Sequence, residues 1–265
     1  IIDKLKNFIR EFKGLTDIEE FIQKKLNIKK VIIVPGNIDE DSTVMNELGR
    51  TAAKFMESII ADGDIVAITG GTTMKNVVDN YELIPRYQNT IVVPARGGME
   101  RNLETEANTL AAKLADKLGA SYKLIHVPDN LSNEALSTII NEKSIKNAID
   151  TIRKADIIIY GVGRADEMSK RRGLSDDEIS RILGNGSVAE AFGYFFDREG
   201  NVVYHTPSLG LKTEDIKNAK NIIAVAGSKL KAEAIIATQI HGKKNVLITD
   251  EGASREMVRI LKNVN

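Results

Sequence analysis

The chain has 265 residues, with 37 Lys and Arg set against 37 Asp and Glu, and neither Cys nor Trp. The absence of Cys excludes disulfides, thiolate metal sites and Cys nucleophiles. The neutral balance argues against a chain that binds nucleic acid by itself, since such chains carry a basic excess.

In chain order, Ile1–Leu26 reads as charged helix without a strand. We take 1–26 as linker helices and 27–265 as one domain. The chain opens with Ile rather than Met, so we read it as a piece of a longer protein. Short Ile/Val-rich runs then recur at Val31–Val34, Ile65–Thr69, Thr90–Pro94, Lys123–Val127, Ile157–Tyr160, Ile222–Ala226 and Val246–Thr249. These runs predict buried parallel strands. Amphipathic stretches lie between them: Asp41–Ile60, Leu103–Leu118, Ser144–Lys154 and Leu230–His241. The alternation predicts an α/β fold, an open and mostly parallel sheet with helices on both faces. Val188–Phe192 reads as a short apolar helix, and Tyr194–Tyr204 as a small antiparallel hairpin around a Gly-containing turn. Lys170-Arg171-Arg172 reads as a solvated basic loop. No apolar run approaches the roughly 18 residues that span a membrane, and no signal segment opens the chain.

Open parallel sheets bind ligands beyond the carboxyl ends of their strands. Gly70-Gly71-Thr72-Thr73 follows the second run and opens a helix. Its glycines allow close backbone approach, and the helix start offers N–H donors to an anion; a plain tight turn with a Thr cap is the alternative. Ala95-Arg96-Gly97-Gly98 follows the third run, and an Arg fork suits phosphate oxygens. Gly161-Val162-Gly163 is a weak dinucleotide-like start, with Asp166 where the last Gly belongs. Gly227-Ser228-Lys229-Leu230-Lys231 puts two lysines at a helix start. That placement disfavours the helix unless an anion binds there. Glu190 is either a capping partner or an acceptor for sugar hydroxyls. The three His share no close spacing, and no metal set emerges.

Ile32–Gly36, Thr69–Thr73, Val93–Gly98 and above all Ser187-Val188-Ala189-Glu190-Ala191-Phe192-Gly193-Tyr194-Phe195-Phe196-Asp197 resemble the effector-binding domain of the SorC/DeoR-type bacterial transcription regulators, closest to the branch that controls glycolytic genes. The resemblance covers essentially the whole chain. It implies a fold like that of the sugar-phosphate isomerases and deaminases, with a DNA-binding helix-turn-helix to the N-terminal side. It implies that Gly70, Gly71, Thr72, Thr73 and Lys231 hold one phosphate and that Arg96, Gly97 and Gly98 hold the other end of the ligand. Gly163 and Glu106 would also contact the ligand, and Glu190 would accept from sugar hydroxyls. It also implies fructose-1,6-bisphosphate as effector, operator DNA as partner of the longer protein, a homodimer or homotetramer, and a cytoplasmic location. One departure stands out. That branch carries Gln where this chain has Glu106, and a carboxylate repels a phosphate unless a Lys or a proton intervenes.

The expectation is therefore a non-catalytic repressor domain that senses a sugar phosphate, without cofactor, metal or membrane. The alternatives are an isomerase or deaminase of the same fold and a plain oligomerisation module. The deaminases resemble Gly-x-Gly-x-Asp-Gly-His after a middle strand, whereas Gly161–Glu167 contains no His.

Overall fold

A computed structural model describes residues 14–83, 86–97, 102–127 and 133–263. Seven strands form one parallel sheet: β1 (Lys30–Val34), β2 (Ile65–Ile68), β3 (Ile91–Pro94), β4 (Ser121–Tyr122), β5 (Ile157–Gly161), β10 (Asn221–Val225) and β11 (Asn245–Asp250). Their order across the sheet is β1-β11-β10-β5-β2-β3-β4. Each inner strand is apolar on both sides because helices cover both faces. On one face Val66, Ile68, Ile157, Ile159, Ile223 and Ile248 pack against α2 (Thr43–Ile59), α3 (Thr72–Asp79) and α4 (Ala107–Leu118). On the other face Ala67, Ile158, Tyr160, Ala224 and Leu247 meet a second layer of helices. These are α1 (Leu15–Leu26), α5 (Asn133–Ile139), α6 (Lys143–Ile152), α9 (Thr213–Asn218), α10 (Ala232–Gln239) and α11 (Glu251–Asn263). Leu15, Ile22 and Leu26 of α1 are buried in this second layer. The expectation of helix also covers residues 1–13, which lie outside the described residues.

Four further strands form an antiparallel sheet: β6 (Gly163–Arg164), β7 (Ala189–Ala191), β8 (Tyr194–Phe196) and β9 (Val202–His205), in that order. The chain crosses from one sheet to the other at Val162, between β5 and β6. Two helices, α7 (Ala165–Arg171) and α8 (Asp176–Gly184), lie between β6 and β7. The predicted hairpin is present as β8 and β9. Asn201 N–H donates to Asp197 Oδ1 (2.8 Å) in its turn, and Gly200 takes φ 80°.

Three expectations are corrected. Val188–Phe192 is not helical: Ala189–Ala191 is a strand. Phe192 and Gly193 both take positive φ (55° and 84°), the two-residue turn that matches hairpin twist. Lys123–Val127 is not a strand. The edge strand is Ser121–Tyr122, and the last ladder bond runs from Lys123 N–H to Val92 O (3.1 Å). Beyond it the neighbour is Pro94, which has no N–H to give. The Asn108 amide captures Ile125 instead, accepting from its N–H (3.0 Å) and donating to its carbonyl (2.9 Å). Ile125 and Val127 are thereby buried outside any strand, which accounts for the apolar run. Finally, Lys170-Arg171-Arg172 closes α7 and is not a loop; Lys170 and Arg171 are exposed as expected, whereas Arg172 is only 6% exposed.

Candidate functional site

From β2 the chain runs on through β3 to β4, one way across the sheet. From β5 it runs through β10 to β11, the other way. The carboxyl ends of β2 and β5 therefore flank a topological switch point, where open α/β sheets form a crevice. A cavity of about 180 Å³ lies there, lined by the loops after β2, β3 and β5, by α7, by the β7–β8 turn and by Lys231.

The β2–α3 loop forms one wall. Gly71 has φ 112° and donates its N–H to Thr105 O (2.8 Å). A Cβ on Gly70 would stand 2.7 Å from that same carbonyl, so the loop runs too close to its neighbour for any larger residue. Thr69 Oγ1 accepts from Gly161 N–H (3.3 Å), which ties the two flanking strand ends together. Gly71 sits at the cap position of α3 and supplies no side-chain acceptor. Thr72 and Thr73 line the cavity, and the N–H groups of such a helix start are suited to donate to an anion.

Cations ring the rest. Arg96 is 6% exposed, and its Nη2 donates to Thr206 Oγ1 (3.0 Å). Gly97 lines the cavity beside it; Gly98 lies outside the described residues. Lys231 is presented by a 3-10 turn, Lys229–Lys231, behind Ser228 with φ 98°. Burial pulls the Lys231 ammonium below the ordinary lysine range, and Arg171 adds to this while Glu167 opposes it. Gly163 lines the floor, where a Cβ would meet Met168 Cγ at 2.2 Å.

Glu190 is 3% exposed. Its Oε1 accepts from Arg172 Nη2 (2.5 Å) and from Gly193 N–H. Behind the turn, Phe192 packs on Tyr160 with ring centroids 4.5 Å apart. Tyr160 Oη accepts from Gln239 Nε2 (2.9 Å), and burial pushes the phenol up to about 12.

The cavity brings together Gly70, Gly71, Thr72, Thr73, Arg96, Gly97, Gly163, Glu190 and Lys231. Glu106 is not among the lining residues; its neighbour Ala107 is. The Glu106 carboxylate caps α4, accepting from Thr109 N–H (3.1 Å) and Asn108 Nδ2 (3.0 Å). Sequence reasoning missed Glu167, Arg171 and Arg172 as lining residues. Their signal was the four-residue spacing of Glu167 to Arg171 and Met168 to Arg172, one face of a helix that begins where β6 ends. Among the described residues, four cations (Arg96, Arg171, Arg172, Lys231) and two carboxylates (Glu167, Glu190) line the cavity. The excess positive charge suits a small polyanion.

A family described as "Putative sugar-binding domain" matches residues 10–259. The "Central glycolytic genes regulator" of Bacillus subtilis (strain 168) is 38% identical over 259 residues, 98% of this chain and 76% of the relative. The protein of the same name in Priestia megaterium is 37% identical over 260 residues, with the same coverage. A solved SorC family transcriptional regulator from Enterococcus faecalis superposes with a TM-score of 0.85 at 35% identity, over 91% of this chain and 99% of that one. The full-length sorbitol operon regulator SorC from Klebsiella pneumoniae shares the fold, with a TM-score of 0.81 at 19% identity over 91% of this chain and 80% of that one.

Proposed function

The chain belongs to the sugar-binding domains of the SorC family of transcriptional regulators, close to the central glycolytic gene regulators, and from that premise we propose that it senses a doubly phosphorylated sugar, fructose-1,6-bisphosphate, for a DNA-binding partner domain of the longer protein. The observation that carries the reading is the switch-point cavity, where the uncapped start of α3 and four cationic side chains converge. Thr72, Thr73 and Lys231 hold one phosphate. Arg96, with Gly97, holds the far end, and Arg171 adds charge between them. Glu190 takes a sugar hydroxyl. Glu106 acts through α4, which it caps, and not on a phosphate.

Charge-assisted bonds from loops of several strands favour the arrangement in which those loops are closed on the ligand. That bias passes to contacts between copies in a homodimer or homotetramer and so to the spacing of the DNA-binding domains. A ligand shifts such an equilibrium only through its differential affinity for the two arrangements.

The test is calorimetry on the chain with fructose-1,6-bisphosphate, fructose-6-phosphate, glucosamine-6-phosphate and free fructose, with product analysis of the same samples. The bisphosphate binds most tightly and is recovered unchanged. Thr73→Ala and Arg96→Ala each lower its affinity by about tenfold or more, the worth of a lost charge-assisted bond, and leave the circular dichroism spectrum intact. Turnover of any of these compounds would move the protein to the isomerase or deaminase class. Unchanged affinity in both variants would remove the site assignment.

A further inference from the structure

We propose that Arg172 is a positioning residue whose buried guanidinium neutralises Glu190 and fixes its carboxylate on the cavity wall, so that a hydroxyl acceptor and a polyanion share one small site. The inference rests on the sugar-phosphate reading above and adds to it a residue that keeps acceptor and anion compatible.

The cavity poses a physical conflict. A sugar hydroxyl is best read by a carboxylate, yet a carboxylate in a buried cavity repels phosphate and tends to protonate. Glu190 is 4% and Arg172 5% exposed at the side chain, with Nη2 to Oε1 at 2.5 Å. A buried charge left alone is costly, whereas a paired and hydrogen-bonded one is tolerated. Glu190 Oε1 also accepts from Gly193 N–H in the turn after β7. That turn is tied to the other phosphate-facing group: Thr206 Oγ1, which accepts from Arg96, donates to Gly193 O (3.3 Å). One carboxylate oxygen is therefore committed to Arg172 and the turn, leaving Oε2 as the acceptor offered to a hydroxyl. Arg172 sets both the charge and the orientation of Glu190 without itself being the phosphate ligand.

A double-mutant cycle tests this, with fructose-1,6-bisphosphate as the calorimetric probe. Arg172→Met strands the carboxylate and lowers affinity by about tenfold or more, the loss that follows truncation of one partner in a buried charge pair. Adding Glu190→Gln to that variant removes the stranded charge and restores affinity to within about threefold of Glu190→Gln alone, a non-additivity expected only of directly coupled groups. Arg172→Lys keeps a positive charge and falls between wild type and Arg172→Met; it is measured alongside because it keeps the cycle readable if Arg172→Met folds poorly. If Arg172 merely packs, Glu190→Gln rescues nothing and Arg172→Lys is as impaired as Arg172→Met; either result overturns the inference alone. A wild-type protein that binds no bisphosphate overturns the sugar-phosphate reading and this inference with it.

Discussion

Lys231 stands in a cavity that strips its water, and its ammonium is held below the ordinary lysine range. An anion that binds beside it favours the charged form and raises that value again. Binding and protonation are therefore linked with a definite sign. As pH rises through the depressed value of the free protein, below the 10.5 of an unperturbed lysine, affinity for the bisphosphate falls and binding takes up a proton. Calorimetry in buffers of different ionisation enthalpy, repeated across a pH series, reads that uptake directly. Lys231→Met binds more weakly and loses the proton uptake; an uptake that persists in the variant would assign it to another group. The same residue shows what the sequence conveyed and what it withheld. Two lysines at a helix start pointed to an anion, and Lys231 does line the cavity. Arg172 looked like surface charge, as its exposed neighbours Lys170 and Arg171 are, because nothing in the run Lys170-Arg171-Arg172 tells which of the three turns inward.

At the scale of elements, the β7–β8 hairpin carries the site's tightest steric constraint. Gly193 has φ 84°, and a Cβ there would lie 1.7 Å from Arg96 Nη1 and 2.8 Å from Thr206 Oγ1. Gly193→Ala displaces the guanidinium and strains the turn, so affinity for the bisphosphate falls to the level of Arg96→Ala. Stability drops by only about 1–2 kcal/mol, the cost of the left-handed backbone. A denaturant titration beside the binding isotherm separates these effects; unchanged affinity would show that Arg96 does not depend on the turn. The hairpin downstream was legible in sequence because Asp197–Asn201 spells a turn between two β-rich runs. Val188–Phe192 was not, because a short apolar run reads alike as helix or strand when periodicity alone decides. Its pairing to β6 comes from tertiary structure. Lys123–Val127 misled for a related reason, since burial by the Asn108 amide and the sheet edge leaves the same apolar imprint as a strand.

Across the whole molecule, the order of Ile/Val runs and helices was enough to fix the α/β class, and the loops after β2 and β3 were visible as anion-ready because Gly and Arg are read locally. Which loops meet depends on strand order, and only the reversal between β2 and β5 puts the start of α3 opposite Gly163 and the end of α7. The first helix raises the same issue of distance along the chain. Residues 1–26 read as linker because they hold no strand, yet Ile22 is fully buried and clusters with Ile33 and Met257 in the layer that also holds α10 and α11. Phe21 also lies under the Lys262 ammonium of α11, 5.7 Å from the ring centroid. If α1 is part of the folded body, Ile22→Ala opens a cavity and lowers unfolding free energy by about 2–5 kcal/mol, seen as a lower denaturation midpoint with an unchanged slope. A detached linker helix would leave the midpoint where it was. Because a ligand specific to the native state stabilises it by mass action, saturating bisphosphate raises the midpoint of the variant and of the wild type by similar amounts. The packing of α1 is thereby separated from the integrity of the cavity between the carboxyl ends of β2 and β5.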